Sequence, residues 1–254
     1  MNIAIITGAS SGLGRGYALE CDKRGEVDEI YLIARRQDKL ESVAKEMKTK
    51  TRILSLDLTK ESDIEKFTLL LEKEKPSIKL LINAAGCGRI GRCDTLSYQE
   101  QLMMIDLNDK ALVAVTTISL KYMDRGSRIM EICSASAFQP VPYVAVYAAT
   151  KAFAYSYSRA LGNELKSRGI SVTAVCPYWI KDTEFIAVAE KGDRSSIKSY
   201  PFSTTQKKVV SSSFKATYKR RKVSTPGVFP TLHHFLSKIL PSSLLMGVWN
   251  LLRK

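Results

Sequence analysis

Residues 7–14 read Thr7-Gly8-Ala9-Ser10-Ser11-Gly12-Leu13-Gly14 and follow directly on the apolar run Ile3-Ala4-Ile5-Ile6. Three glycines in eight residues let a backbone turn tightly and approach a bulky anion. The next stretch, Gly12–Arg24, has helical spacing, and a helix that starts there aims its free N–H groups at negative charge. A tight turn alone would also explain a glycine cluster, so its reading leans on what lies downstream. Read as a diphosphate site, the loop contributes Gly8, Ser10, Ser11, Gly12, Leu13 and Gly14.

The same alternation continues outward. Short, almost wholly apolar runs at Ile3–Thr7, Ile30–Ala34, Arg52–Leu56, Lys79–Asn83, Arg128–Cys133 and Ser171–Cys176 are predicted strands covered on both faces. Between them, Gly12–Arg24, Asp38–Lys48, Ser62–Lys73, Tyr98–Met123 and Tyr143–Arg168 are predicted helices. Right-handed βαβ units of this kind build an α/β fold, a Rossmann-type doubly wound parallel sheet with helices on both faces. With 254 residues, no internal repeat and no Gly/Ser linker, one domain is expected: a cofactor half over about 1–125, a catalytic and substrate half over about 126–227, and a tail from 228 to 254. After Cys176 the pattern loosens into a long excursion, Pro177–Pro201. A basic helix is expected over Thr204–Lys222, then an extended piece, Val223–Thr225, then an apolar tail broken by Pro241.

Composition narrows the function. The cysteines Cys21, Cys87, Cys93, Cys133 and Cys176 are odd in number and never spaced C-x-x-C, and His233 and His234 are adjacent. Neither a disulfide framework nor a metal centre is expected, and the setting expected is a reducing cytoplasm. No apolar run reaches about 18 residues, and the N-terminus enters a strand at once, so neither a spanning helix nor a secretory leader is expected. The net charge is +14, with no Asp or Glu from Arg194 onward. That end suits a solvated helix face, an anionic membrane or an acidic substrate; without a recognised nucleic-acid motif, no nucleic-acid partner is expected.

The strand ends carry the polar residues. The second ends Ile33-Ala34-Arg35-Arg36, where NAD-binding units hold the ribose 2′-hydroxyl with an acid. Arg35, with Arg36 beside it, suits a 2′-phosphate instead, so NADP(H) is the cofactor expected. Asp57, followed by Leu58, could accept from an adenine amino group or cap a helix. Asn83-Ala84-Ala85-Gly86 places small residues where the chain passes the cofactor, with Asn83, Ala84 and Gly86 as expected contacts. Within the helix over Tyr143–Arg168, Tyr147 and Lys151 stand four apart and share a face. A lysine and an oxidised nicotinamide would favour phenolate and make Tyr147 a usable acid/base. Ser134 closes the fifth strand where its hydroxyl could bind a carbonyl, and Asn108 interrupts a helix where a water relay would explain it.

On these motifs, across about residues 2–183, the chain resembles the short-chain dehydrogenase/reductase family, in its NADPH-preferring, hydroxysteroid-dehydrogenase-like branch. The resemblance implies a catalytic tetrad of Asn108, Ser134, Tyr147 and Lys151, with Tyr147 and Lys151 also meeting the cofactor, and a seventh strand near Val223–Thr225. It implies further cofactor contacts at Pro177, Ile180 and Thr183, and assembly as a homodimer or homotetramer. Where the family has Pro-Gly and then Thr, this chain has Pro177-Tyr178-Trp179 and Thr183 one residue late. A small-molecule lipophilic carbonyl or alcohol is the expected substrate, with Tyr143, Tyr178, Trp179 and Phe185 joining Ser134 and Tyr147 around it. A hydroxysteroid or bile acid fits first, and a β-ketoacyl compound or small ketone second. The tail would cover the site, pack in an oligomer or lie on a membrane. A non-catalytic nucleotide-binding regulator at a membrane surface is the alternative from another class.

Overall fold

The computed structural model describes residues 1–253. Seven parallel strands form one sheet in the order β3-β2-β1-β4-β5-β6-β7: β1 (Asn2–Thr7), β2 (Glu29–Ala34), β3 (Lys50–Ser55), β4 (Ser77–Asn83), β5 (Arg128–Ile132), β6 (Ser171–Val175) and β7 (Val223–Ser224). Each of the six apolar runs falls on a strand to within a residue at its end, and alternate side chains of the inner strands enter two separate cores, while the edge strand β3 is only half-buried. On one face Ala4 and Ile6 of β1 and Ile30 and Leu32 of β2 meet α1 (Gly12–Arg24), α2 (Gln37–Lys45) and the later helix Gln206–Tyr218. On the other, Ile3, Ile5, Tyr31 and Ile33 meet α3 (Glu61–Glu74) and, further along the chain, the helices Ala111–Leu120 and Ala145–Glu164. The pairing of β1 with β4 passes from Ile3↔Ile78 to Ala4↔Leu80 and skips Lys79. This bulge turns Ile78 and Leu80 to opposite cores.

The helix expected over Tyr98–Met123 is interrupted. It runs as α4 (Tyr98–Ile105), one π-helical turn (Asp106–Lys110) and α5 (Ala111–Leu120). Asn108 sits in that π turn, buried, which explains an asparagine at a position that looked helical. The next helix, α6 (Ala145–Glu164), starts later than expected, because Tyr143 takes φ 68, outside the helical region.

Beyond β6, the excursion contains α7 (Phe185–Ala189) before α8 (Gln206–Tyr218), and the tail forms α9 (Val228–Leu236) and α10 (Ser242–Leu252). The short β7 pairs with β6 through Ala174↔Val223 and Val175↔Ser224. Among the described residues, no helix is long and apolar enough to cross a membrane. Strand order reverses between β1 and β4, the point at which open parallel sheets leave a crevice beyond their carboxyl ends.

Candidate active site

That crevice is a cleft of about 540 Å³, walled at one end by the glycine-rich loop and at the other by the tail helices. The loop is shaped by backbone proximity. A Cβ on Gly14 would stand 2.1 Å from the Gly8 carbonyl oxygen, and one on Gly8, at φ +68, would stand 2.8 Å from the Ala84 backbone. Thr7 Oγ1 accepts from Ala84 N and Ala85 N, both at 3.0 Å, and so ties the end of β4 to that of β1. Ser11 precedes α1 without capping it through its side chain, and the first turn carries no acid. The α1 amides therefore face the cleft available to an anion. On this geometry the residues fit a dinucleotide diphosphate.

The arginine after β2 that reaches the loop is Arg36. Its Nη2 donates to Ser11 Oγ at 2.7 Å and pairs with Glu184 at 3.2 Å. Arg35 lines the cleft beside it, and its carbonyl accepts from Ser55 at 3.1 Å. Asp57 and Leu58 line the cleft too. Asp57 Oδ1 accepts from Thr59 Oγ1 at 2.7 Å in a local turn, while Lys60 occupies the N-cap position of α3. Asp57 is thus not that helix's cap. Pro177, Ile180 and Thr183 stand on the opposite wall, where a Cβ on Gly12 would lie 3.8 Å from Thr183 Cβ.

Three expected site residues stand elsewhere. Asn83 ends β4 with its side chain turned into the sheet, where Nδ2 donates to Thr116 Oγ1 at 2.8 Å and Glu131 Oε1 at 3.1 Å. It does not line the cleft, because β4 places it opposite Glu131 of β5 and a buried carboxyl group needs a donor there. Tyr143 also lies outside: its ring carries the Arg253 guanidinium at 3.8 Å, and its hydroxyl accepts from Arg253 at 3.1 Å. Asn108 is buried behind the cleft, with Nδ2 donating to Cys87 O and Thr150 Oγ1, both at 2.9 Å, while Oδ1 accepts from Cys87 N at 2.9 Å. Its side chain retains one lone pair for a water relay, and its three bonds hold the chain after β4 in place.

Ser134, Tyr147 and Lys151 converge on the cleft. Ser134 caps a 3-10 turn (Ala135–Phe138), its Oγ accepting from Ser136 N at 3.1 Å. Lys151 Nζ donates to Ile132 O at 2.8 Å, at the carboxyl end of β5, and lies 5.8 Å from the Tyr147 ring centroid. Gly86 and Gly88 leave room for this group: a Cβ on Gly86 would stand 3.4 Å from Lys151 Nζ, and one on Gly88 3.1 Å from the Tyr147 ring. Burial pushes the Tyr147 phenol above its ordinary pKa, with the Ser134 hydroxyl partly opposing it. Among the protein's own groups desolvation dominates, and the nearby thiols Cys133, Cys87 and Cys176 add to it. The acidifying effect expected of Lys151 is one it exerts together with an oxidised nicotinamide. Burial also lowers the Lys151 ammonium, while Cys133, Cys87, Asp109 and Glu131 pull it back up. A protonated phenol beside a serine hydroxyl is a proton donor, and an oxygen seated between them could also accept from Ser134.

Behind this group, burial pushes Glu131 to about 7, with the Asn83 and Thr116 hydrogen bonds opposing it. Its folded pKa lies above the unfolded one, so its contribution to stability is full below the ordinary carboxylate range and is lost as pH rises through about 7. Asp109, raised to about 6 by burial, acts in the same window. Glu131→Gln is therefore expected to flatten the fall of Tm between about pH 4.5 and 7.5, a difference on the order of a few kcal/mol. A thermal scan series across that range checks this, and an unchanged slope would contradict it.

The apolar end of the cleft is lined by Tyr178, Trp179 and Phe185, together with residues that sequence reasoning did not name, among them Gln139, Phe229, His233, Leu245, Trp249 and Leu252. Phe229 packs edge-on to Tyr178 at 4.7 Å, and Trp249 stacks against Trp179 at 6.4 Å while donating to Pro142 O at 3.0 Å. His233 Nε2 pairs with Gln139 Oε1 at 2.8 Å, and burial lowers its pKa, so the ring is neutral near pH 7. Gln206, at the start of α8, donates to Gly12 O and braces the glycine-rich loop. The apolar tail signalled packing, but nothing in its pattern named the surface it would meet.

Comparison with known proteins gives consistent results. The family model for short chain dehydrogenases matches residues 2–193. An uncharacterised oxidoreductase of Staphylococcus epidermidis is 29% identical over 198 residues, covering 77% of this chain and 85% of that protein. The very-long-chain 3-oxoacyl-CoA reductase of Bos taurus is 34% identical over 196 residues, or 70% of this chain and 59% of the relative's own length. Among solved structures, a short-chain dehydrogenase from Sphingobium yanoikuyae in complex with NADPH superposes with a TM-score of 0.79 at 26% identity, covering 95% of this chain and 97% of that one.

Proposed function

Since the chain belongs to the short-chain dehydrogenase family, we propose that it is an NADPH-dependent ketone reductase, or secondary alcohol dehydrogenase, acting on a bulky lipophilic substrate. The single observation that carries this reading is a cleft continuous from the glycine-rich loop, past Ser134, Tyr147 and Lys151, to an apolar end closed by α9 and α10. The dinucleotide, when bound, supplies the hydride or takes it up. In the reducing direction Ser134 donates to the substrate carbonyl and orients it, and Tyr147 gives its proton to the oxygen as that oxygen gains charge. Lys151, held by Ile132 O, stands beside the phenol and would offer N–H groups to the nicotinamide ribose. Asn108 acts as a positioning residue through Cys87 and Thr150. The tail helices exclude water from the substrate end.

A preference for NADP(H) over NAD(H) is supported by Arg35 and Arg36 at the end of β2, where no acid stands. Arg36→Ala is expected to raise KM for NADPH by about 10–100-fold, the worth of one or two charge-assisted hydrogen bonds, with NADH little changed. Parallel initial rates with the two cofactors check this, and an equal effect on both would contradict the assignment.

Two substrate bodies suit the apolar end. A hydroxysteroid or bile acid rests on the aromatic walls at Tyr178 and Trp179. A long 3-oxoacyl thioester has the added support of the 34% identical bovine relative. A panel of keto-steroids, 3-oxoacyl thioesters and small ketones with NADPH decides between them, and turnover of small ketones alone would remove both. The exposed Tyr98, Leu102 and Ile105 of α4, with Phe153 of α6, suit the homo-oligomer that the family resemblance implies.

A further inference from the structure

The helices that close the cleft have a second face. Inward, Phe229, Leu232, Leu236, Leu245, Val248 and Leu252 line the cleft. Outward, Val228, Phe235, Ile239, Leu244 and Leu251 are bare, with Val228 87%, Leu251 74% and Ile239 62% exposed. The two faces meet at Leu232 and Val248, which both line the cleft and reach the surface. Leu232 and Val248 therefore join the outer apolar face to the apolar end of the cleft.

The electrostatics of this face are one-sided. Neither helix contains a charged residue, Lys238 stands in the turn between them, and no Asp or Glu occurs after Asp193. Lys238 and Arg159 both bear on His234 of α9, and neither forms an ion pair among the described residues. In a two-fold contact through these helices, Lys238 would meet the same lysine of the other copy, with no acidic residue in either helix to pair it. An anionic surface complements it. The helices have 9 and 11 residues, or about 14 and 17 Å at 1.5 Å per residue, too short for a hydrocarbon core of about 30 Å. They suit an interfacial position, with apolar side chains at the acyl boundary and cations among the headgroups.

We propose that α9 and α10 form a docking surface for an anionic lipid bilayer and that a lipophilic substrate passes from the membrane into the cleft by way of Leu232 and Val248, where the two faces meet. The docking surface stands on the two helices alone; only the delivery of substrate rests on the activity proposed above. The protein is expected to float with phosphatidylglycerol-containing vesicles and much less with pure phosphatidylcholine. Phe235→Glu and Leu251→Glu, at positions that do not line the cleft, are each expected to lower the partition coefficient at least about tenfold. Lys238→Gln is expected to weaken binding to the anionic vesicles only. Unchanged melting temperatures confirm that the variants fold, and because flotation needs no turnover, a failed activity does not obscure it. Absence of flotation with anionic vesicles overturns the proposal, as does equal flotation with neutral ones. A dimer in light scattering that Phe235→Glu dissociates, without any vesicle binding, would assign the face to a second copy instead.

Discussion

Tyr147→Phe is expected to lower kcat by about 10³-fold, within the range for removing a positioned proton donor, while NADPH binds as before. The phenylalanine keeps the ring that packs on Phe185 at 5.5 Å and fills the space beside Gly88, so the cleft should not collapse. The loss is confined to the hydroxyl, which stands with Ser134 and Lys151 at the cleft wall. Burial holds that phenol protonated across the neutral range, so the reducing direction should show no fall in rate from tyrosine ionisation below about pH 9. Steady-state rates and a fluorescence titration with NADPH separate the two effects. A variant that keeps its turnover would remove Tyr147 from the chemistry, and with it the proposed mechanism; a variant that loses cofactor binding as well would point to a packing role.

The second large effect is expected at the other end of the cleft. Gly14→Ala places a methyl group 2.1 Å from the Gly8 carbonyl oxygen and 2.5 Å from its carbon. Both partners are backbone atoms, so no side-chain rotation relieves the clash, and α1 must move away from the turn after β1. The cost is expected at or above the upper end of ordinary overpacking, about 3 kcal/mol, which lowers Tm by roughly 6–12 °C in a chain of this size. NADPH affinity should fall with it, because the displaced backbone is the surface that would hold the diphosphate. Gly247→Ala is the matched control: a Cβ there meets nothing within 4 Å on an exposed turn of α10, so a gain of about 0.5–1 kcal/mol is expected. Calorimetry with and without NADPH reads both variants, and a Gly14→Ala protein as stable and as tightly bound as the parent would sink this account of the loop.

How far the site was legible in the chain depended on the range of the interactions involved. The sheet was legible because strands covered on both faces must be apolar at every position, and six such runs left little freedom in placing the helices between them. The glycine-rich loop and the Tyr147–Lys151 pair were legible because their geometry is local: eight residues of turn, and one turn of helix. Asn83 misled because its neighbour across the sheet, Glu131, lies 48 residues away and is visible only once β4 and β5 pair. Tyr143 misled for the same reason, since the partner that draws it from the cleft is Arg253, 110 residues on. The reach of Arg36 to Ser11, the bracing of the loop by Gln206 and the closing of the cleft by α9 and α10 likewise rest on long-range packing.

Sequence alone therefore determined the sheet, its two cores and the positions of the loop and the tyrosine, because hydrophobic periodicity and backbone sterics act over a few residues. Only the tertiary structure decided which polar side chains turn toward the cleft and which satisfy buried partners behind it. It alone also seated the apolar tail over one end of the cleft, since that outcome depends on surfaces contributed by distant parts of the chain.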